Sequence, residues 1–171
     1  MQEFDVSSAT VELAAQALHV EGQRIAKTLS FYVDDHVVLI VAAGDAKIAN
    51  PKYKAQFHTK AKMLSHEEAE TLIGHAVGGV CPFAVNEGVD VYLDESLKRF
   101  ETVFPACGSS NSAIELTIPE LEANCDHFQG WVDVCKIPEN EAENNRSERK
   151  SIVMKKNHYD AFSVGLRGTM A

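Results

Sequence analysis

What this chain of 171 residues lacks narrows its chemistry before any motif does. No apolar run approaches the roughly 20 residues needed to cross a bilayer, so no membrane partner is expected. The start, Met1-Gln2-Glu3-Phe4-Asp5, is acidic rather than a basic leader ahead of an apolar core, which points to the cytoplasm. Four cysteines, Cys81, Cys107, Cys125 and Cys135, include no Cys-x-x-Cys pair. That spacing argues against a zinc site or a disulfide framework and for free thiols. Positive charge is also scarce: 16 Lys and Arg face 25 Asp and Glu, a net charge of −9. Such a balance disfavours non-specific binding to nucleic acid. No Gly-x-Ser-x-Gly elbow, Walker loop, Rossmann fingerprint or His-Glu-x-x-His helix occurs. Neither a metal nor a cofactor is expected.

Length and a 45% apolar content suit one well-buried domain. Ser8 is placed to cap a helix carrying Val11, Ala14, Ala15 and Leu18 at helical spacing. Ile25–Val33 and His36–Gly44 flank Asp34-Asp35, which reads as a β-hairpin whose second strand is apolar enough to be buried on both faces. Pro51 opens a helix over Asn50–Phe57, and a strand follows near Ala61–Leu64. Ser65-His66-Glu67-Glu68 has the form of a capping box for a helix that Gly74 ends. Val89–Leu93 reads as a strand, Asp94 as the cap of a short helix Glu95–Arg99, and Thr102–Phe104 as a further strand. Ala106–Ser112 is a turn of small residues before a strand Ala113–Thr117. Pro119 opens another helix, and Gly130–Lys136 reads as the last strand. From Pro138 to Lys150 the only apolar residue is Ala142. The expected organisation is therefore a domain over 1–137, a polar linker over 138–150 and a tail of unknown role over 151–171.

The chemistry that is present is rich in backbone. Gly74-His75-Ala76-Val77-Gly78-Gly79-Val80-Cys81-Pro82-Phe83 combines two glycines, whose amides no Cβ shields, with a proline that fixes φ. Such a loop lets a ligand touch main chain, although the same glycines also suit a plain turn. Lys47, Lys52, Lys54, Lys60 and Lys62, with His58, form a basic island that holds no acidic residue. The island suits either a solvated helix face or the docking of one polyanion. Gly108-Ser109-Ser110-Asn111 is a second polar turn. Cys81 in the loop is a conceivable nucleophile, but no histidine pairs with it by spacing, and packing beneath the loop is the simpler role. Glycine amides, a polar turn and lysines together suit the binding of an anion or the stabilisation of an oxyanion.

In this order, Lys27-Thr28-Leu29, the lysines around Lys52 and Lys54, Thr71 through Pro82, Val91-Tyr92-Leu93-Asp94 and Gly108-Ser109-Ser110-Asn111 before Ile114-Glu115-Leu116 resemble the YbaK/ProX family. Its members are free-standing aminoacyl-tRNA deacylases related to the editing domain of bacterial prolyl-tRNA synthetases. The resemblance covers roughly Ser7 to Lys136. It implies a mixed α/β fold, one compact domain with a barrel-like sheet surrounded by helices. It also implies metal-free hydrolysis of the ester joining a wrong amino acid to the end of a tRNA, with tRNA for proline one candidate. Lys54, Gly78 and Gly79 are the implied catalytic residues, Lys54 being favoured over Lys52. Lys27, Thr28, Phe31, Lys52, Val80, Cys81, Pro82, Gly108, Ser109, Ser110 and Asn111 are the implied substrate-binding set. The implied partners are the acceptor end of aminoacyl-tRNA and, as a further candidate, an aminoacyl-tRNA synthetase, with the protein a monomer or homodimer. This chain departs from other members at Cys81, where many have Ser, and at Cys107–Asn111 and Ala113, where others have Gly-Gly-Lys-Arg-Gly and an Asp. A non-catalytic binder of aminoacyl-tRNA or of an adenosine-like ligand is the alternative.

Overall fold

A computed structural model describes residues 2–3, 10–75, 79–109 and 111–138. In chain order its strands are β1 (Gln2–Glu3), β2 (Ile25–Val33), β3 (His36–Ala43), β4 (Lys47–Ile48), β5 (Lys62–Met63), β6 (Val89–Asp94), β7 (Thr102–Pro105), β8 (Ser112–Ala113), β9 (Leu116–Thr117), β10 (Phe128–Val132) and β11 (Cys135–Lys136). The α-helices are α1 (Val11–Leu18), α2 (Asn50–Phe57), α3 (His66–Ile73) and α4 (Ile118–Asn124), and Gly22–Arg24 and Glu95–Arg99 form 3₁₀ turns. Seven strands make a curled, mixed sheet in the order β10-β6-β3-β2-β7-β9, with β5 on β2. The expected mixed α/β fold with a barrel-like sheet is therefore present.

The hairpin forms as its sequence dictates. Asp34 takes the left-handed conformation at φ 53°, and the register sets Leu29 opposite Ile40 and Val33 opposite His36. β3 is buried along all but its first residue because it lies between antiparallel β2 and parallel β6. The core continues through a chain of rings: Phe31 to Tyr53 at 5.2 Å, Tyr53 to Phe57 at 4.8 Å and Phe57 to Tyr92 at 5.3 Å. Burial pushes the Tyr53 phenol up to about 12.

Four local expectations are corrected. Thr10 caps α1 by accepting from the Leu13 amide at 3.2 Å, while Ser8 lies outside the described residues. Ser65 caps α3, but Glu68 does not reach back to it; its carboxylate accepts the Tyr32 hydroxyl instead. The complete capping box is at α4, between Thr117 and Glu120. Ala113–Thr117 is not one strand, because Ser112–Ala113 pairs with β1 while Leu116–Thr117 pairs with β7.

Gly130–Lys136 is likewise divided. The buried Asp94 carboxylate accepts from the Val134 amide at 3.0 Å and from Ser96 at 2.9 Å, and the Val134 carbonyl accepts from Ala49 at 2.8 Å. These bonds turn the chain off β6 and onto β4, so Cys135–Lys136 pairs with Lys47–Ile48. Neighbouring sequence shows an apolar strand, but not a buried carboxylate that redirects it.

Candidate active site

A discontinuity in the sheet creates the site. One edge of β2 is paired with β3 from Ala26 to Val33. The other is divided, with β7 covering Ile25 and Ala26 and β5 covering Phe31 and Tyr32. Among the described residues, Lys27, Thr28 and Leu29 face no strand on that side. Peptide groups alternate direction along a strand. The Ser30 carbonyl, which accepts from the Leu64 amide at 3.2 Å, therefore shows that the Thr28 N–H and C=O point the same way, into the gap. A cavity of about 550 Å³ fills this gap, walled by β2, α1, the start of α3 and the Phe104–Ala113 region. Among the described residues the buried Thr28 hydroxyl has no partner, a cost that a bound polar group would remove.

Lys27 and His66 are the ionisable side chains on the described wall of this cavity. The Lys27 ammonium donates to the Gly44 carbonyl at 3.3 Å and to the Ala46 carbonyl. Burial, the largest influence, holds its pKa below the ordinary 10.5. An ammonium has three N–H donors, so one remains after these two bonds. The wall is otherwise apolar or carries hydroxyls, and among the described residues it has no carboxylate. This arrangement can fix an electron-rich oxygen, and it supplies no acidic side chain as a base.

The glycine loop and the Gly108 turn meet backbone to backbone. A Cβ placed on Gly79 would lie 2.6 Å from the Gly108 carbonyl carbon and the Ser109 nitrogen, and 2.7 Å from the Gly108 oxygen. No L side chain fits there without parting the two segments. Ser109 shares a hydrogen bond of 2.6 Å with the Ser112 hydroxyl, and Ser112 lies on the cavity wall. The Ser109 hydroxyl also lies 3.0 Å from Asn111 Oδ1. The loop, the turn and the cavity thus form a contiguous assembly around the gap in β2.

The residues named from sequence separate into groups. Lys27, Thr28 and Val80 line the cavity, and Gly79, Gly108 and Ser109 form the junction beside it. Gly78 and Ser110 lie outside the described residues. Phe31 is buried against Tyr53. Pro82 is buried, and its carbonyl accepts from the Asp126 amide at 3.0 Å. Lys52 pairs with Asp133 at 2.9 Å and donates to the Cys135 carbonyl at 3.1 Å. Lys54 is exposed on α2 and does not line the cavity; His58 ends that helix in a left-handed conformation at φ 59°. Ser112 was not singled out from sequence. Its position in a run of small polar residues shows a turn but not which hydroxyl faces inward.

Cys81 does have a histidine neighbour, contrary to the reading from spacing. His75 Nδ1 lies 3.8 Å from the thiol and accepts the Cys81 amide at 3.3 Å. Through the bond from the Cys81 amide, the His75 ring ties together the two ends of the loop. Cys81 is 2% exposed and His75 8%, neither lines the cavity, and burial raises the thiol pKa. A thiolate nucleophile needs the opposite conditions. Cys81→Ala is expected to retain turnover within about threefold, measured as the hydrolysis rate of an ester substrate; abolished turnover would restore the thiol as nucleophile.

The chain is 58% identical over 135 residues to the uncharacterized protein YwhH of Bacillus subtilis, covering 78% of this chain and 85% of that protein. Over 90 residues it is 30% identical to the proline–tRNA ligase of the same organism, covering 52% of this chain but 16% of the ligase. A crystal structure of a candidate trans-editing enzyme for prolyl tRNA synthetase superposes with a TM-score of 0.71 at 29% identity, covering 79% of this chain and 85% of that one. The family model for the aminoacyl-tRNA editing domain matches residues 6–123, a span that holds β2 with its gap, the glycine loop and the Gly108 turn. With β2, the glycine loop and the Gly108 turn all within that match, the chain belongs to the aminoacyl-tRNA editing domain family.

Proposed function

We propose that this protein hydrolyses the ester of mischarged aminoacyl-tRNA, acting in trans in the cytoplasm on a tRNA charged by a synthetase. The observation that carries the reading is the cavity at the divided edge of β2, whose described wall includes Lys27, an ammonium with a donor to spare, and Thr28, whose buried hydroxyl has no partner among the described residues. An aminoacyl ester is already activated, so a site with donors but no carboxylate base suits it. Water adds to the ester carbonyl, the ribose oxygen leaves with a proton, and the products are the free amino acid and tRNA with its hydroxyl restored. The neighbouring ribose hydroxyl is the group best placed chemically to assist the water. The amides of Gly78 and Gly79 are assigned to the oxyanion and the terminal adenosine, and Lys27 to the electron-rich oxygens of the bound end. Lys54, exposed on α2, is assigned to the tRNA outside the cavity.

The similarity to a proline–tRNA ligase and to the candidate trans-editing enzyme supports tRNA for proline as the first substrate to try. A panel of correctly and wrongly charged tRNAs, incubated with the purified protein at micromolar concentration, tests this reading. At least one mischarged ester is expected to be lost faster than it hydrolyses spontaneously. A panel left wholly intact would overturn it. The lack of a carboxylate on the described cavity wall also suits a second reading, a non-catalytic binder, which tight binding without turnover would select.

A further inference from the structure

The sheet pairing creates a concentration of positive charge that the linear sequence separates. Lys47 on β4 and Lys136 on β11 are register partners, directly opposite each other, and both side chains are exposed. Like charges in that relation repel and destabilise a strand pair. Neither lysine forms an ion pair among the described residues. Nearby acidic groups are already engaged: Asp133 with Lys52 at 2.9 Å and Asp45 with Arg99 at 2.5 Å. Lys27 donates to the Ala46 carbonyl, the residue before Lys47, and Lys47 lowers its pKa, though less than burial does and less than Cys135 and Asp45 raise it. Positive charge therefore runs from the exposed β4–β11 ribbon to the cavity wall, on a protein whose net charge is −9.

We propose that the β4–β11 ribbon is a docking surface for the phosphodiester backbone of a single RNA strand whose 3′ end enters the cavity, with Lys47 and Lys136 each neutralising a phosphate. This rests on the function proposed above and locates the approach of its substrate. A polyanion removes the repulsion between the two lysines, and the ribbon's continuity with Lys27 gives the strand a direction. The basic island seen in the sequence is thereby divided. Lys52 is neutralised by Asp133, whereas Lys136, remote in sequence, completes the surface.

The test measures binding, so it does not depend on turnover. The probe is an uncharged RNA hairpin with a short single-stranded 3′ end, titrated by fluorescence anisotropy at several salt concentrations. Each phosphate contact on a single strand contributes a slope of about 0.7 in log K against log salt. The double variant Lys47→Ala/Lys136→Ala is therefore expected to lower that slope by about 1.4. Lys47→Glu, which restores an attractive cross-strand pair and so protects the fold, is expected to lower it at least as much. Lys98→Ala removes the same charge beside Trp131 and should leave the slope unchanged. Slopes for the ribbon variants equal to that of the unaltered protein would overturn the proposal, as would an equal drop in Lys98→Ala. If the slope falls but every ester survives, the docking surface stands and the deacylase reading fails. If esters are cleaved with no change of slope, the docking surface alone fails.

Discussion

Gly79→Ala is expected to slow ester hydrolysis by about 10- to 100-fold, the loss typical of a displaced transition-state donor. The new methyl would stand 2.6 Å from the Gly108 carbonyl carbon and the Ser109 nitrogen. Both are backbone atoms, so the contact cannot be relieved by rotating a side chain. The glycine loop must move away from the Gly108 turn, and the amides assigned to the oxyanion move with it. Overpacking of this kind also costs about 1–3 kcal/mol of stability. Gly88→Ala separates the two effects. Gly88 has φ +83° with nothing within 4 Å of a new Cβ, so the alanine there brings backbone strain of about 1 kcal/mol without a clash. Comparable melting temperatures, with turnover lost only in Gly79→Ala, are the expected pattern. Equal turnover in both variants would remove the loop from the chemistry.

Lys27→Met should lower turnover by about 10- to 100-fold as well, through loss of the charged donor on the described cavity wall. Its effect on stability has a sign that can be checked. Burial depresses the folded-state pKa of Lys27 below 10.5, so between that lowered value and 10.5 the unfolded chain binds more protons than the native one. Stability due to this group therefore rises with pH across that window. At neutral pH the buried charge is a cost, only partly offset by the Gly44 and Ala46 carbonyls that accept from it. Melting temperatures of the native protein and Lys27→Met, compared from pH 7 to 10.5, should shift progressively in favour of the native protein. A constant difference would mean that the ammonium is as well solvated as in the unfolded chain. Retaining a charge that weakens the fold is understandable where that charge serves a bound ligand.

Much of the scaffold was legible in the residues because local patterns specify it. The β-rich run from Ile25 to Val33, the apolar run from His36 to Gly44 and the Pro51 start of a helix each match an element of the structure. The elements that were misread depend on distant partners. Asp94 redirects Val134, and the strands β8 and β9 divide because their partners lie in different sheets. Gly79 and Gly108 were both visible as turn residues, but their van der Waals contact follows from the tertiary fold. His75 and Cys81 have no spacing that signals a pair; the tertiary structure brings them together. Lys27 was legible through family resemblance, whereas the open edge of β2 that gives it a cavity is a property of how β5 and β7 divide that edge. Lys52 shows the converse limit, since Asp133, 81 residues away, occupies it.

The central claim is that the glycine loop and Lys27 act together on an aminoacyl ester. A single-turnover assay, with protein in excess over the most susceptible mischarged tRNA, tests it most directly by following release of the labelled amino acid. The account predicts release well above the spontaneous rate with the native protein, and a rate reduced by about 10- to 100-fold in Gly79→Ala and in Lys27→Met. Release no faster than in buffer, or release undiminished in both variants, would contradict it.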